Sequence, residues 1–182
     1  MGIEFVIDYG IHVDTSKGGL RRVYDSDLGK DVIELYYGAG TRESLWPMYK
    51  NKVSSFPFWL KVRMRTYVEN GKKVSVDLGV KLWNPETNDY CYFRYEYSDM
   101  SSFYLDYNGT KRRASPPSLN TWHYYELYID YNEAILYVDG SKYLSVSISE
   151  SSFLPLIKIN SNTGGLVDYH HSRYCDLEVE PA

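Results

Sequence analysis

The sequence predicts an all-β antiparallel sandwich, and three observations carry that prediction. Apolar and polar residues alternate with period two along much of the chain, as a strand with one buried face requires. No stretch of a dozen residues carries an apolar stripe at i, i+3, i+4 and i+7, so long amphipathic helices are excluded. The alternating runs are short, recur about every 8 to 12 residues, and are separated by turn-forming residues. The chain has 182 residues, of which 43% are hydrophobic and 24% charged. That composition fills a core and excludes disorder, and the length suits one domain spanning residues 1–182. Twenty tyrosines stand out. Tyrosine favours strands, because its ring packs while its hydroxyl reaches water.

The elements follow in order. "GIEFVID" (2–8) and "DVIELYYG" (31–38) read as strands joined by loops rich in Ser, Gly and Lys. In "LKVRMRTY", Leu60, Val62 and Met64 share one face, while Lys61, Arg63 and Arg65 share the other. In "VSVDLGVKLW", Val74, Val76, Leu78, Val80 and Leu82 oppose Ser75, Asp77, Gly79, Lys81 and Trp83. Asn70-Gly71 between these runs is the preferred pair for a tight hairpin, so the two strands are expected to be neighbours. "DYCYFRYEYS" turns Cys91, Phe93, Tyr95 and Tyr97 one way, and Tyr90, Tyr92, Arg94 and Glu96 the other. "SFYLDY" is a further strand, and "NGTKRRASPPSLNT" reads as a loop broken by Pro116-Pro117. "WHYYELYIDYNEAILYVDG" (122–140) holds two strands, and Asp139-Gly140 turns the chain tightly into "SKYLSVSIS". "LIKIN" and "CDLEVE" complete about ten or eleven strands.

Several function classes are disfavoured. The net charge is −4, and the densest basic run is "KRR" at 111–113, read as a solvated loop, so nucleic-acid binding has no support. No run of 18 apolar residues spans a membrane. The start "MGIEFVIDYG" lacks the basic and apolar regions of a signal peptide. This leaves two settings open: an intracellular protein, or a domain of a longer, extracellular or cell-surface parent chain. Cys91 and Cys175 form no CxxC or Cys/His cluster. Two buried thiols and a single disulfide both remain open. "NGT" at 108–110 matches a glycosylation acceptor, a match expected by chance.

The run "WHYYELYID…AILYVDG" closely resembles a strand pair of the concanavalin A-like lectin/glucanase superfamily, which includes laminin-G-like domains. "DLGKDVIELYYG", "FPFWLKVRMR" and "CDLEVEP" resemble further strands of that group in the expected order. The resemblance covers most of residues 20–180 and marks scaffold, not function. It implies a two-sheet jelly roll whose concave sheet holds glycans. A shared fold does not assign an activity, so the site needs its own argument.

The polar faces of the central strands carry Arg63, Arg65, Asp77, Lys81, Trp83, Tyr92, Arg94 and Glu96. If those strands share a sheet, one surface presents aromatic rings and charges together. Rings stack on the apolar face of a pyranose, and charged groups bond its hydroxyls. The opposing reading is a solvated sheet face with cross-strand ion pairs. Arg63, Arg65, Lys81, Trp83, Tyr92, Arg94 and Glu96 are the candidate ligand contacts. Glycoside hydrolysis needs two carboxylates at set separations, and the resembled glucanases place theirs at alternating positions on one strand. No such run occurs at the matching place; "DLEVE" alternates but lies in the closing strand. Asp77 and Glu96 are the one carboxylate pair to nominate for an enzyme. The resembled lyases use arginine, glutamine, histidine and tyrosine. Arg63, Arg65, Arg94 and Tyr92 answer part of that set, but the histidine-bearing strand is missing. His123 is expected to serve the scaffold, and His170-His171 to lie in a loop or at a strand edge. Calcium is common in the superfamily, and Asp8, Asp14, Asp25, Asp27 and Asp168 are hard loop ligands for it. No twelve-residue calcium loop is present. The expected function is a non-catalytic polysaccharide-binding module. A hydrolase or lyase of the same fold is the alternative, followed by an adhesive protein-binding domain.

Overall fold

The computed structural model describes residues 5–8, 18–37, 46–49, 57–68, 76–84, 87–95, 102–148, 156–163 and 170–182. The strands in chain order begin with β1 (Phe5–Asp8), β2 (Gly18–Asp25), β3 (Lys30–Tyr37), β4 (Trp46–Tyr49) and β5 (Phe58–Val68). Next come β6 (Val76–Trp83), β7 (Tyr90–Tyr95), β8 (Phe103–Tyr107), β9 (Thr110–Ala114) and β10 (His123–Ile129). The last are β11 (Glu133–Val138), β12 (Ser141–Ser147), β13 (Leu156–Thr163) and β14 (His170–Pro181). Two seven-stranded antiparallel sheets result. Sheet A runs β1-β4-β13-β6-β7-β8-β9, and sheet B runs β12-β11-β10-β5-β14-β3-β2. The architecture is the jelly-roll sandwich that the alternating pattern and its turns imply.

The alternation does the work of folding. Phe58, Leu60, Val62 and Met64 on β5, and Tyr125, Leu127 and Ile129 on β10, bury against Val80, Leu82, Cys91, Phe93, Tyr95, Phe103 and Leu105 of sheet A. Rings meet between the layers: Phe93 and Phe103 of sheet A stack on Tyr125 of sheet B at 5.3 and 5.8 Å. The tight turn at Asp139-Gly140 is present, with φ of 51° and 78°. Asn108-Gly109 makes a second one, with φ of 47° and 91°. Both pairs adopt the left-handed conformations that two-residue hairpins need.

Three expectations need correction. β5 and β6 lie in different sheets and are not the neighbours that the pair Asn70-Gly71 suggested; that pair lies outside the described residues. "KRR" belongs to β9, an edge strand whose residues are exposed. Exposed charges on an edge strand discourage pairing with another chain. β2 and β4 were expected as loops; β2 pairs with β3 through eight residues. Of the two places expected for His170 and His171, a loop or a strand edge, they take the second, at the start of β14, which β3 and β5 pair on its two sides. Cys91 and Cys175 are both free and buried. Cys91 lies in the core, where burial pushes its thiol far above the ordinary range. Burial raises Cys175 to about 12, with Asp176 adding to the shift.

Candidate functional site

The face of sheet A turned away from the core is where the candidate residues gather. On β6 the core takes Val80 and Leu82, which leaves Lys81 and Trp83 for the other side. On β7 the core takes Cys91, Phe93 and Tyr95, which leaves Tyr90, Tyr92 and Arg94. On β8 the core takes Phe103, Leu105 and Tyr107, which leaves Tyr104 and Asp106. The register sets Lys81 opposite Tyr92, Tyr92 opposite Asp106, and Asp106 opposite Lys111.

This face is not an ordinary solvated one. Asp106 is 0% exposed, Tyr104 3% and Tyr92 8%. The Tyr92 hydroxyl donates to Asp106 Oδ2 at 3.1 Å and accepts from Arg94 Nη2 at 2.9 Å. Asp106 Oδ1 accepts from the Gly109 amide at 2.7 Å, which anchors it to the β8–β9 turn. Lys111 Nζ lies 3.8 Å from the same carboxylate. Tyr90 and Tyr92 stack at 5.2 Å, and Tyr104 meets Tyr92 edge-on at 5.9 Å. Cations lie over these rings: Lys81 Nζ is 4.8 Å from Tyr90, the Arg94 guanidinium 4.3 Å from Tyr92, and Lys111 Nζ 5.1 Å from Tyr104. Such contacts hold a cation in place through the ring quadrupole.

The electrostatics follow from crowding. Burial lowers the affinity of Lys81 for its proton, and the Arg94 charge lowers it further. Burial pushes the Tyr92 phenol far above its ordinary value. Tyr90 is raised by burial, with Asp106 adding to the shift. The face therefore holds neutral phenols and a lysine that loses its proton more readily than usual.

Gly79 makes this packing fit. It is the register partner of Arg94, and a Cβ at this position would lie 2.6 Å from Arg94 Cβ and 2.0 Å from the Phe93 carbonyl oxygen. Gly79→Ala should therefore push β7 away and displace Arg94. The expected cost is about 1–3 kcal/mol, as for overpacking. A urea melt that matches the parent would show that the strands absorb the methyl.

The candidate set divides between the two faces of the sandwich. Lys81, Trp83, Tyr92 and Arg94 come together on sheet A, where the Trp83 indole donates to Asn88 Oδ1 at 3.0 Å. Arg63 and Arg65 are on β5 in sheet B, so a single surface carrying all the candidates is not formed. Arg63 Nε lies 3.3 Å from Asp176 Oδ2, and Arg65 pairs with Asp27. Asp77 occupies a β6 position opposite Asn162, and Glu96 lies outside the described residues. Asp25 and Asp27, named for calcium, bond arginines. Asp8 is placed only as the end of β1; Asp14 and Asp168 lie outside the described residues. No group of three or more metal-ligating side chains occurs among the described residues. Tyr90, Tyr104, Asp106 and Lys111 were missed. Alternation in "FYLDY" carried the signal for Tyr104 and Asp106, whereas Lys111 was hidden by reading "KRR" as a loop.

His123 has the scaffold role expected of it. Its Nδ1 lies 2.7 Å from Asp139 Oδ2, and its Nε2 lies 3.0 Å from Ser118 Oγ and 3.1 Å from the Ser118 carbonyl. Asp139 Oδ1 also accepts from the Tyr124 amide at 2.9 Å. The "WH…VDG" pattern is thus a clasp that ties the start of β10 to the β11–β12 turn and to the loop before β10.

Solved structures share this arrangement of strands. The fold is concanavalin A-like. The cellulose-induced protein Cip1 matches over 98% of this chain and 92% of its own, with a TM-score of 0.67 at 10% identity. The alginate lyase AlyA1 of Zobellia galactanivorans matches over 96% and 84%, with a TM-score of 0.61 at 14% identity. A β-glucanase of Bacillus licheniformis matches over 93% and 94%, with a TM-score of 0.59 at 13% identity. No protein-family model matches the chain, and no curated protein matches it at a significant level. At these identities the concanavalin A-like likeness is one of fold, and the site must speak for itself.

Proposed function

We propose that the chain is a carbohydrate-binding module that holds a polysaccharide on the outward face of sheet A. The observation that carries this reading is the packed array of Tyr90, Tyr92 and Tyr104 with Lys81, Arg94 and Lys111 laid over the rings. Aromatic bodies with ordered charged tips match the two faces of a pyranose. Structural neighbours named as glucanase, alginate lyase and galectin share the fold, which supports the same direction. The module would act outside the cell or at its surface, within a larger parent chain or alone. Calcium remains a candidate cofactor, and the binding test includes an EDTA arm for it.

The test is affinity gel electrophoresis against neutral and acidic polysaccharides. Retardation by a polymer whose chain length stays unchanged is the expected result. Trp83→Ala should weaken that binding by about tenfold if its ring contacts sugar. Undiminished affinity would remove Trp83 from the site.

A second reading, a lyase, has one observation in its favour. Lys81 is shifted toward its neutral form beside the Arg94 cation, which suits a base next to a group that binds a carboxylate. A hydrolase is less well supported, because the Asp106 carboxylate on this face is buried and already bonded. Asp77 and Glu96 stay candidates for that chemistry. New reducing ends without new unsaturated ends would support a hydrolase, and both together a lyase. Neither would leave the binding module.

A further inference from the structure

Two adjacent cross-strand rows run over sheet A. The first is Lys158, Lys81, Tyr92, Asp106 and Lys111, each directly opposite the next. The second is Asn160, Gly79, Arg94, Tyr104 and Arg113. Among the residues whose side chains are described, these rows bring Lys81, Arg94, Lys111 and Arg113 together around the Asp106 carboxylate. The chain as a whole carries a net charge of −4, so this concentration runs against its composition.

The placement also runs against stability. Lys81 Nζ and the Arg94 guanidinium share the Tyr92 ring, 5.8 and 4.3 Å from its centroid, and like charges gathered on one sheet face destabilise it. Desolvation and the Arg94 charge both act against the Lys81 ammonium. Packing the cations over tyrosine rings fixes their positions while leaving their charge in place. Asp106 is covered by its neighbours on this face, with one oxygen bonded to Tyr92 and the other to the Gly109 amide, so it presents little negative charge outward. Cations gathered at a cost to the fold create a positive field that attracts an anion. Strands lie about 4.8 Å apart, so the cations from β6 to β9 span roughly 14 Å. That span fits a polymer better than a small anion.

We propose that the ligand is a linear polyanionic polysaccharide, bearing carboxylates or sulfate esters, laid along these two rows. The inference rests on the polysaccharide reading above and names its ligand class. Lys111 and Arg113, on the exposed edge strand β9, hold one end of the chain. Lys81 and Arg94 hold its middle, next to the tyrosine rings.

Affinity electrophoresis of the full chain tests this with polygalacturonate, a sulfated galactan and a neutral β-glucan, each at rising salt. The expected result is retardation by one or both polyanions that fades with salt, because exposed charges are screened. Which polyanion binds tells carboxylate from sulfate. Lys111→Gln combined with Arg113→Gln should weaken binding about tenfold while the thermal melt stays near the parent's. Retardation by the neutral glucan that is equal or stronger, or insensitive to salt, would overturn the polyanion inference and leave the polysaccharide reading standing. Undiminished affinity in the double variant would also overturn it. Binding to none of the three would remove both.

Discussion

Asp106→Ala should lower the unfolding free energy by about 3–5 kcal/mol, the range for removing one partner of a buried charged group. Asp106 is 0% exposed, and three neighbours depend on it. The Tyr92 hydroxyl would lose its acceptor, the Gly109 amide would lose the contact that pins the β8–β9 turn, and Lys111 would lose a countercharge. A buried donor left without a partner costs about 1–3 kcal/mol; the Tyr92 hydroxyl is such a donor, and the lost anchor of the β8–β9 turn and the cavity add to it. Domains of ordinary stability have about 5–15 kcal/mol in hand, so the variant should unfold at clearly lower urea. Asp106→Asn separates charge from shape. It keeps one acceptor oxygen and removes a negative charge from beneath the cationic rows. Its stability should fall less than that of the alanine variant, and its affinity for a polyanion should rise. A denaturation midpoint unchanged in Asp106→Ala, with an unchanged slope, would mean that the carboxylate does not organise the face.

Glu34→Ala is the second large effect, and it arises on the opposite side of the sandwich. Glu34 is 1% exposed; Arg21 Nε donates to its Oε1 and Arg173 Nε to its Oε2, each at 2.7 Å. Arg173 Nη1 also reaches Asp25 Oδ2 at 2.7 Å, and the Trp122 indole reaches Asp25 Oδ1 at 3.3 Å. One guanidinium thus joins β14 to β2 and β3, and the indole adds the loop before β10. Losing Glu34 leaves Arg173 half-compensated in a desolvated place, at an expected cost of about 3 kcal/mol. Arg21 is 55% exposed and recovers water, so it adds little to that cost. A loss below about 1 kcal/mol would mean that solvent reaches the pair and screens it.

The same network sets an acid limit. Burial by itself would raise the Asp25 carboxyl. The bonds from Arg173, the Leu28 amide and the Trp122 indole outweigh it and hold the group below its ordinary value. A depressed folded value contributes stability that is fully present above the unfolded value, about 3.9, and is lost as pH falls through the folded one. Unfolding followed at a series of acid pH values should show stability falling below about pH 4. Asp25→Asn should be less stable near neutrality and flatter over that acid range. Parallel curves for the two proteins would assign the acid loss to other carboxylates.

Much of this architecture was legible in the residue order, because a strand's two faces are a local property. Period two in "LKVRMRTY" and "YCYFRY" assigned Leu60, Val62, Met64, Cys91, Phe93 and Tyr95 inward, and every one of them is buried. Asp139-Gly140 announced its turn, because few residue pairs accept positive φ twice in succession. The "WH…VDG" pattern marked its scaffold for the same reason, since the His123–Asp139 contact joins two ends of one local hairpin.

Partnership between distant strands is not written in any local pattern. Alternation says that Arg65 and Lys81 both point away from a core, but not that they point away from opposite sides of it. That was settled by the placement of β5 in sheet B and β6 in sheet A, which left Arg63 and Arg65 in ion pairs on the sheet opposite Tyr90, Tyr92 and Tyr104. Tyr104, Asp106 and Lys111 joined the site by the reverse route, because β8 and β9 pair onto β7 in the register that extends its rows. The sequence by itself determined which residues of each strand face the core, through the pleat. Only the tertiary structure decided which outward faces lie side by side, because that depends on non-local pairing. The candidate site is made of those outward faces.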